Sequence, residues 1–273
     1  MSLGVFAAVL AAALVHAGWN LLIKGAADKL AMTLSVATCA GLIAAAILPF
    51  LPLPVPASWP YLAASVLLQS VYYLLIARAY RVADMSLAYP LMRGTAPLVV
   101  ALCGAAVFGE TLGGGEWLAV GLISAGIAAL ALGAARSAGV ATALLNALVI
   151  ASYTLVDARG ARLSEAPAAY VLLLAVPTGA VTVATALAGG ARPRFDRRTL
   201  GLGLVGGAAT TLSYGIALWA MTRAPVAPVA ALRETSIVFG LLGGRLLFGE
   251  RIGGRRLAAV LMVVIGVIAL RLA

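Results

Sequence analysis

The sequence predicts an all-α polytopic membrane protein with ten transmembrane helices, arranged as two inverted five-helix repeats around a central cavity. Three observations lead to this prediction. The composition is very apolar, the apolar segments are long enough to span a bilayer, and the end of the chain repeats its middle.

The composition places the chain in lipid. Hydrophobic residues make up 63% and charged residues 10%, and the mean hydropathy is +1.09, so there is too little charge to cover a water-exposed surface. The pI is near 10.3, but the basic residues form short groups between apolar segments, which excludes a continuous nucleic-acid stripe. Cys39 and Cys103 lie within apolar segments without metal-ligand spacing, so we expect no disulfide and no metal site.

Charged residues and Pro/Gly clusters divide the chain into apolar segments of about the 20 residues that a membrane helix needs. The first segment continues to Ile23 without a positive n-region, so we interpret it as a retained helix and not as a signal peptide. The ten predicted helices are 3–23, 30–51, 59–79, 86–108, 116–135, 138–157, 167–189, 199–221, 226–247 and 254–272. The predicted turns between them are 24–29, 49–60, 78–84, 109–115, 134–139, 159–167, 189–198, 223–228 and 249–256.

The repeat is visible directly in the residues. Residues 73–132 align with 213–272 at a constant offset of 140, which pairs Arg93 with Arg233 and the Phe-Gly-Glu turn at 108–110 with the one at 248–250. Periodic copies of this length indicate a duplicated bundle. We expect the first repeat to cover 1–136 and the second 137–273. Because five helices per repeat is an odd number, the second copy starts from the opposite side of the membrane, so the halves are inverted.

The basic residues also predict an orientation. Most Lys and Arg residues occupy the odd-numbered connections, beginning with Lys24 and Lys29. By the positive-inside rule these connections face the cytoplasm, and both termini lie outside.

The first helix carries a polar face at membrane depth. His16 precedes Lys24 by eight residues, about 12 Å along a helix, and Trp19 and Asn20 follow at i+3 and i+4. A polar or titratable group at this depth is costly unless it faces the bundle interior. We therefore predict that these side chains contact the substrate; the alternative for His16 is a hydrogen-bonded packing histidine.

Comparable stripes occur on later helices. Gln69, Tyr72 and Tyr73 lie at i, i+3 and i+4 on the third helix, and Thr210, Ser213 and Tyr214 have the same spacing on the eighth. Tyr153 occupies the position of Trp19 in the second copy. Such stripes are also compatible with packing, but their presence in both halves favours a cavity. The predicted substrate-binding residues are His16, Trp19, Asn20, Gln69, Tyr72, Tyr73, Tyr89, Tyr153, Ser213 and Tyr214.

Four charged residues are candidates for gating or ion coupling: Arg93, Arg233, Glu234 and Asp157. The alternative for both arginines is snorkelling to an interface, and Asp157 could instead cap the end of the sixth helix. We interpret the Phe-Gly-Glu turns as structural, with glycine ending one helix and glutamate favouring the N-terminus of the next.

These features resemble the drug/metabolite transporter superfamily, EamA type. The Phe-Gly-Glu turns, Gly121, Gly126, Gly266 and the run from Ala13 to Gly25 carry the resemblance, and the aromatic third helix is most similar to YddG-type exporters of aromatic amino acids and methyl viologen. The resemblance implies a bacterial inner-membrane protein whose cavity is formed by helices 1, 3, 4, 6, 8 and 9.

We therefore expect a secondary transporter that exports small metabolites by alternating access, with aromatic amino acids and amphipathic or cationic compounds as substrates. Nucleosides or sugars are alternative substrates. An intramembrane lipid-processing enzyme is the alternative class, but such chemistry would require clustered carboxylates, histidines or metal ligands. We expect no cofactor and no metal. The expected partners are a small-molecule substrate and membrane lipid, with no nucleic acid, and the chain is expected to be a monomer, with a homodimer as the alternative.

Overall fold

The computed structural model describes residues 1–82, 85–130, 139–190, 192–193 and 195–273, with backbone only at residue 73 and at 76–82 and 85–88. Every regular element in these ranges is helical. The α-helices, in chain order from α1 to α11, are Leu3–Gly25, Lys29–Ile47, Trp59–Val82, Met85–Phe108, Gly114–Ala129, Val140–Leu163, Pro167–Ala188, Arg197–Met221, Val226–Arg233, Ser236–Phe248 and Gly254–Leu272. Short 3₁₀ turns at Leu48–Phe50 and Pro56–Ser58 connect α2 to α3.

The ninth predicted helix, 226–247, is interrupted within its span. It is divided into α9 and α10 at Glu234 and Thr235, where the Thr235 hydroxyl donates to the carbonyl of Leu232 at 2.7 Å. A side-chain hydroxyl that takes a helical carbonyl competes with the backbone ladder. Arg233 is therefore the last residue of the first half-helix, and Glu234 lies in the break within the span.

Seven helical spans in the described residues are long and apolar enough to cross a bilayer, counting α9 and α10 together as one. The shorter apolar helix α5 has 16 residues. These spans are those of an integral membrane protein, and the number of ten transmembrane helices stays a prediction. The seven are Leu3–Gly25, Lys29–Phe50, Tyr89–Phe108, Val140–Leu163, Pro167–Ala188, Arg197–Met221 and Val226–Phe248.

Helices α5 and α11, which are equivalent in the repeat, pack against each other in opposite directions. A Cβ on Gly126 would lie 2.9 Å from the carbonyl oxygen of Ala259, and one on Gly266 would lie 3.0 Å from that of Ala119. Because the offset of 140 converts each contact into the other, the pair has two-fold symmetry. The start of α5 lies beside the end of α11, since a Cβ on Gly115 would be 2.9 Å from the Cβ of Ala273.

Close backbone approach also joins the two halves elsewhere. Helix α2 of the first half packs on α7 and α8 of the second, and a Cβ on Gly179 would lie 2.7 Å from the carbonyl oxygen of Ala37. Small residues allow this packing in lipid, where the hydrophobic effect does not drive helices together. Glycines at these contacts therefore have a packing role.

The two Phe-Gly-Glu turns end α4 and α10 as expected. Gly109 and Gly249 have φ values of 65° and 67°, the left-handed conformation that glycine adopts without steric cost at helix ends. The glutamates that follow these glycines, however, do not cap the next helix. For α5 that role belongs to Glu116, whose carboxylate accepts from the Gly113 amide at 3.0 Å.

Candidate functional site: a polar cavity between the halves

A cavity of about 430 Å³ lies inside the helical bundle, within the size range of small-molecule sites. Both halves contribute to its wall. The polar and aromatic lining residues are His16, Trp19, Asn20, Thr33, Gln69, Tyr72, Tyr89, Arg93, Tyr153, Thr178, Thr182, Thr210, Thr211, Tyr214 and Arg233.

The predicted face of α1 lines this cavity. Asn20 Nδ2 donates to the carbonyl of His16 at 2.8 Å, and the His16 and Trp19 rings meet edge to face with centroids 5.1 Å apart. The indole Nε1 of Trp19 is buried without a hydrogen-bond partner among the described residues. An unmet buried donor costs free energy, and the residue that carries it lines the cavity.

Aromatic side chains from three helices continue the wall. Tyr72 of α3 and Tyr153 of α6 pack edge to face at 6.0 Å, and Tyr214 of α8 lines the same cavity. Ser213 does not: its side chain is buried beside the cavity and donates to the carbonyl of Thr210 at 3.0 Å. Ser213 is thus not among the lining residues, and its role in substrate binding stays a prediction, whereas the side chain of Tyr73 lies outside the described residues.

Arg93 and Arg233 both line the cavity, although the repeat gives them different partners. Arg93 Nε lies 2.7 Å from Glu234 Oε2, and the two side chains are only 5% and 6% exposed. The N–H of Arg93 is not directed at that oxygen, so the contact is an ion pair without an aligned hydrogen bond. Burial at this level excludes the alternative that Arg93 snorkels to an interface.

The guanidinium of Arg233 lies over the ring of Tyr214, 5.3 Å from its centroid. Among the described residues, no carboxylate is within ion-pair distance of Arg233. A cation held by an aromatic face and exposed to a cavity is suited to binding an anionic group.

Asp157 lies inside the bundle and does not cap α6, because that helix continues to Leu163. The carboxylate is fully buried and accepts from the Tyr170 hydroxyl at 3.3 Å, from the Tyr214 hydroxyl and from Gln69 Nε2 at 3.5 Å. Asp157 is not itself a lining residue, but it orients two that are. The alternative that Asp157 caps α6 is therefore wrong, and its role in gating or ion coupling stays a prediction.

Comparison with known proteins identifies the architecture. The model of the EamA-like transporter family matches residues 2–132 and 137–272. The chain belongs to the EamA-like transporter family.

A solved structure supports the same fold for this EamA-like transporter. It is named only as "Crystal structure of protein", and it superposes with a TM-score of 0.79 over 98% of each chain at 21% sequence identity. At that identity the likeness shows the fold alone. The comparison with curated proteins found no match. The family assignment makes the chain an integral membrane transporter of small solutes, and members of this family are transporters, not enzymes.

The cavity of this EamA-like transporter also uses two helices that the resemblance did not imply. Helix α2 contributes Thr33, and α7 contributes Thr178 and Thr182. The hydroxyl of Thr178, like that of Thr211, is buried without a partner among the described residues. Single threonines in apolar helices carry no sequence signal, because most donate to their own backbone, as Thr182 does to Thr178 at 2.8 Å.

Proposed function

We propose that this EamA-like transporter exports aromatic amino acids by alternating access, with the cavity as its substrate site. The observation that carries the proposal is the combination, in one cavity, of aromatic faces with the cation of Arg233, which has no carboxylate partner in the described part of the chain. An aromatic amino acid supplies a ring for the first and a carboxylate for the second.

The polar atoms without partners support a ligand rich in hydrogen-bond acceptors. Trp19 Nε1 and Arg93 Nη2 are buried donors without partners in the described residues, and the hydroxyls of Thr178 and Thr211 are also unsatisfied. These atoms are covered in this conformation, so a bound carboxylate would satisfy such donors once their side chains turn toward it, and unmet buried donors reject a ligand that lacks the matching acceptor. These atoms favour amino acids over solutes that carry only a positive charge.

The charge of the lining points the same way. Of the two arginines in the cavity wall, Arg93 is paired with Glu234, so Arg233 supplies the positive charge that faces the cavity. Asp157, which is already held by three side chains, is not part of the wall. Like charges near each other are repulsive in a medium of low dielectric constant. The amphipathic cations expected from the sequence are thus less well matched than zwitterionic amino acids.

Alternating access is supported by the antiparallel pairing of α5 and α11. Copies related by an inverted two-fold axis have two states in which the roles of the halves are exchanged, so that the site opens to one side and then to the other.

Counterflow in proteoliposomes tests the proposal. Vesicles loaded with unlabelled L-phenylalanine are expected to accumulate labelled L-phenylalanine or L-tryptophan, with competition by other aromatic amino acids. Phenethylamine, which lacks the carboxylate, is the matched control and should compete poorly. Exchange of uridine or glucose without exchange of any amino acid would contradict the assignment and favour the nucleoside or sugar alternative. Repeating the assay with a pH gradient measures whether proton movement drives accumulation.

A further inference from the structure

Each Phe-Gly-Glu turn holds a cation from the opposite half of the chain. Glu110 Oε1 lies 2.6 Å from Arg162 Nη2, with the ring of Phe108 4.5 Å from the same guanidinium. We call these three residues the Arg162 clasp. Glu250 lies 2.6 Å from Lys24 Nζ, with the ring of Phe248 at 5.6 Å, and these three form the Lys24 clasp.

The two clasps lie at opposite ends of the molecule. The turn at Glu110 precedes α5, and the turn at Glu250 precedes α11. Since α5 starts where α11 ends, the starts of these helices, and with them the two clasps, are on opposite sides of the bundle. The repeat therefore places one inter-half contact on each side of the membrane.

The clasps differ in how firmly they are built. Arg162 also donates to the carbonyls of Met221 and Ala224, at 2.8 and 3.1 Å, and Glu110 also accepts from the Val226 amide at 2.8 Å. The Arg162 clasp thus joins the α4–α5 turn, the end of α6 and the α8–α9 turn. For the Lys24 clasp, the described residues provide only the contacts between α1 and the α10–α11 turn.

The ion pair of the Arg162 clasp is also less exposed to solvent than that of the Lys24 clasp. The side chains of Arg162 and Glu110 are 26% and 15% exposed, whereas those of Lys24 and Glu250 are 44% and 38% exposed. Ion pairs at the latter level contribute little to stability, because water screens them and holding two long side chains in place costs entropy.

The cavity lies toward the Lys24 clasp. Its wall includes Ile23, which directly precedes Lys24. In the other direction the last lining residue of α6 is Tyr153, nine residues and about 13 Å before Arg162. The intervening positions Ala158 and Leu218 are almost completely buried, so the Arg162 end is closed.

The Arg162 clasp is also connected to the cavity through a short helix. Glu110 binds the first amide of α9, whose residues from Val226 to Leu232 are all buried, and the same helix ends at Arg233 in the cavity wall. A carboxylate at a helix N-terminus satisfies free amides and interacts favourably with the helix dipole. Glu110 therefore fixes the position of the helix that carries Arg233.

We infer that Glu110 and Arg162 are gating residues, which hold the end of the transporter remote from the cavity closed and must separate for that end to open. The inference rests on the proposed function in one respect, that a solute passes through the cavity. The Phe-Gly-Glu turns therefore do more than end helices, because each glutamate pairs with a cation from the other half of the chain.

The test measures accessibility and needs no solute. In a C39A/C103A background, Ala227→Cys places a thiol on α9, where the side chain is only 2% exposed, and a membrane-impermeant maleimide reports its exposure. Glu110→Gln, which keeps the shape and removes the charge, is expected to raise the labelling rate about tenfold, the effect of losing one hydrogen bond to a charged group. Glu250→Gln changes the equivalent residue of the other half and is expected to leave labelling unchanged.

A conservative change at the partner separates gating from misfolding. Arg162→Lys keeps a cation beside Glu110 and leaves the Glu110 carboxylate to accept from the Val226 amide, so this variant is expected to be labelled more slowly than Glu110→Gln, with circular dichroism and gel filtration verifying a folded chain. Unchanged labelling in Glu110→Gln, or an equal increase in Glu250→Gln, would overturn the inference. Because no substrate is added, the result is independent of whether amino acids are transported.

Discussion

Arg93 of α4 and Glu234, at the break between α9 and α10, form an ion pair inside the helical bundle, with Nε 2.7 Å from Oε2. The pair joins the first half of the chain to the interrupted helix of the second. The repeat pairs Arg93 with Arg233, but the position equivalent to Glu234 is Gly94. The ion pair therefore has no counterpart by symmetry, and it makes the two halves chemically unequal at the cavity.

Removing one member of this pair should be strongly destabilising. Arg93→Met leaves a buried carboxylate without its cation, which costs about 3–5 kcal/mol, whereas Arg93→Met with Glu234→Leu should recover most of that loss. Thermal unfolding in detergent measures the effect. Lys24→Met, which breaks an exposed pair, is the control and should cost no more than about 1 kcal/mol. Equal losses in the two single variants would argue against an energetic role for burial.

Arg233 should determine the affinity for amino acids. Arg233→Met removes the unpaired cation of the cavity and is expected to raise the half-saturating concentration of L-phenylalanine in counterflow by about tenfold or more, the effect of losing a charged hydrogen bond. Arg223→Met is the matched control, because Arg223 stacks on Trp219 and does not line the cavity. Normal affinity in Arg233→Met would place the carboxylate elsewhere.

Because α5 and α11 approach each other with two-fold symmetry, equivalent glycine substitutions on the two helices should destabilise the protein to the same extent. Gly126→Ala and Gly266→Ala each place a methyl group within 3.0 Å of backbone atoms on the partner helix, so both should destabilise by about 1–3 kcal/mol through overpacking. Gly121→Ala is the control on the same helix, since a Cβ there meets nothing within 4 Å. The measurement is thermal unfolding, and a stable Gly266→Ala beside an unstable Gly126→Ala would contradict the two-fold relation.

Variants of the two tyrosines that donate to Asp157, Tyr170 and Tyr214, should distinguish an effect on substrate binding from an effect on stability. Tyr214→Phe removes a hydroxyl from a residue that lines the cavity and is expected to weaken substrate binding. Tyr170→Phe also removes a hydroxyl that donates to Asp157, but Tyr170 does not line the cavity. Each leaves a buried carboxylate with one donor fewer, at a cost of about 1–3 kcal/mol. Counterflow affinity and unfolding temperature are measured in parallel. Equal effects of the two variants on affinity would mean that the cluster acts only through packing.

Much of the candidate site follows from helical periodicity. The face of His16, Trp19 and Asn20, and the stripe of Gln69 and Tyr72, line one cavity because residues three and four apart share a helix side. That geometry is local, so it can be predicted without knowing what lies opposite. Their roles in substrate binding remain predictions.

Other features could not be predicted in this way. The break after Arg233 has no glycine or proline at the point of interruption, where the residues are Arg233, Glu234, Thr235 and Ser236. The partners of Asp157 come from α3, α7 and α8, and those of Glu110 from α6 and α9. Long-range pairs such as these leave no periodic signal in either segment.

The sequence by itself determined that this chain lives in lipid, that it is built from two related copies, and which helix faces are polar. These conclusions follow from the low charge, the offset of 140 and the 3.6-residue helical turn, all of which can be counted along the chain without knowing which helices are neighbours. Only the tertiary structure decided which polar groups are paired and which are unmet. That outcome depends on how helices distant in the chain are juxtaposed. It makes Glu234 the partner of Arg93, while Arg233 faces the cavity with no carboxylate of the described residues beside it.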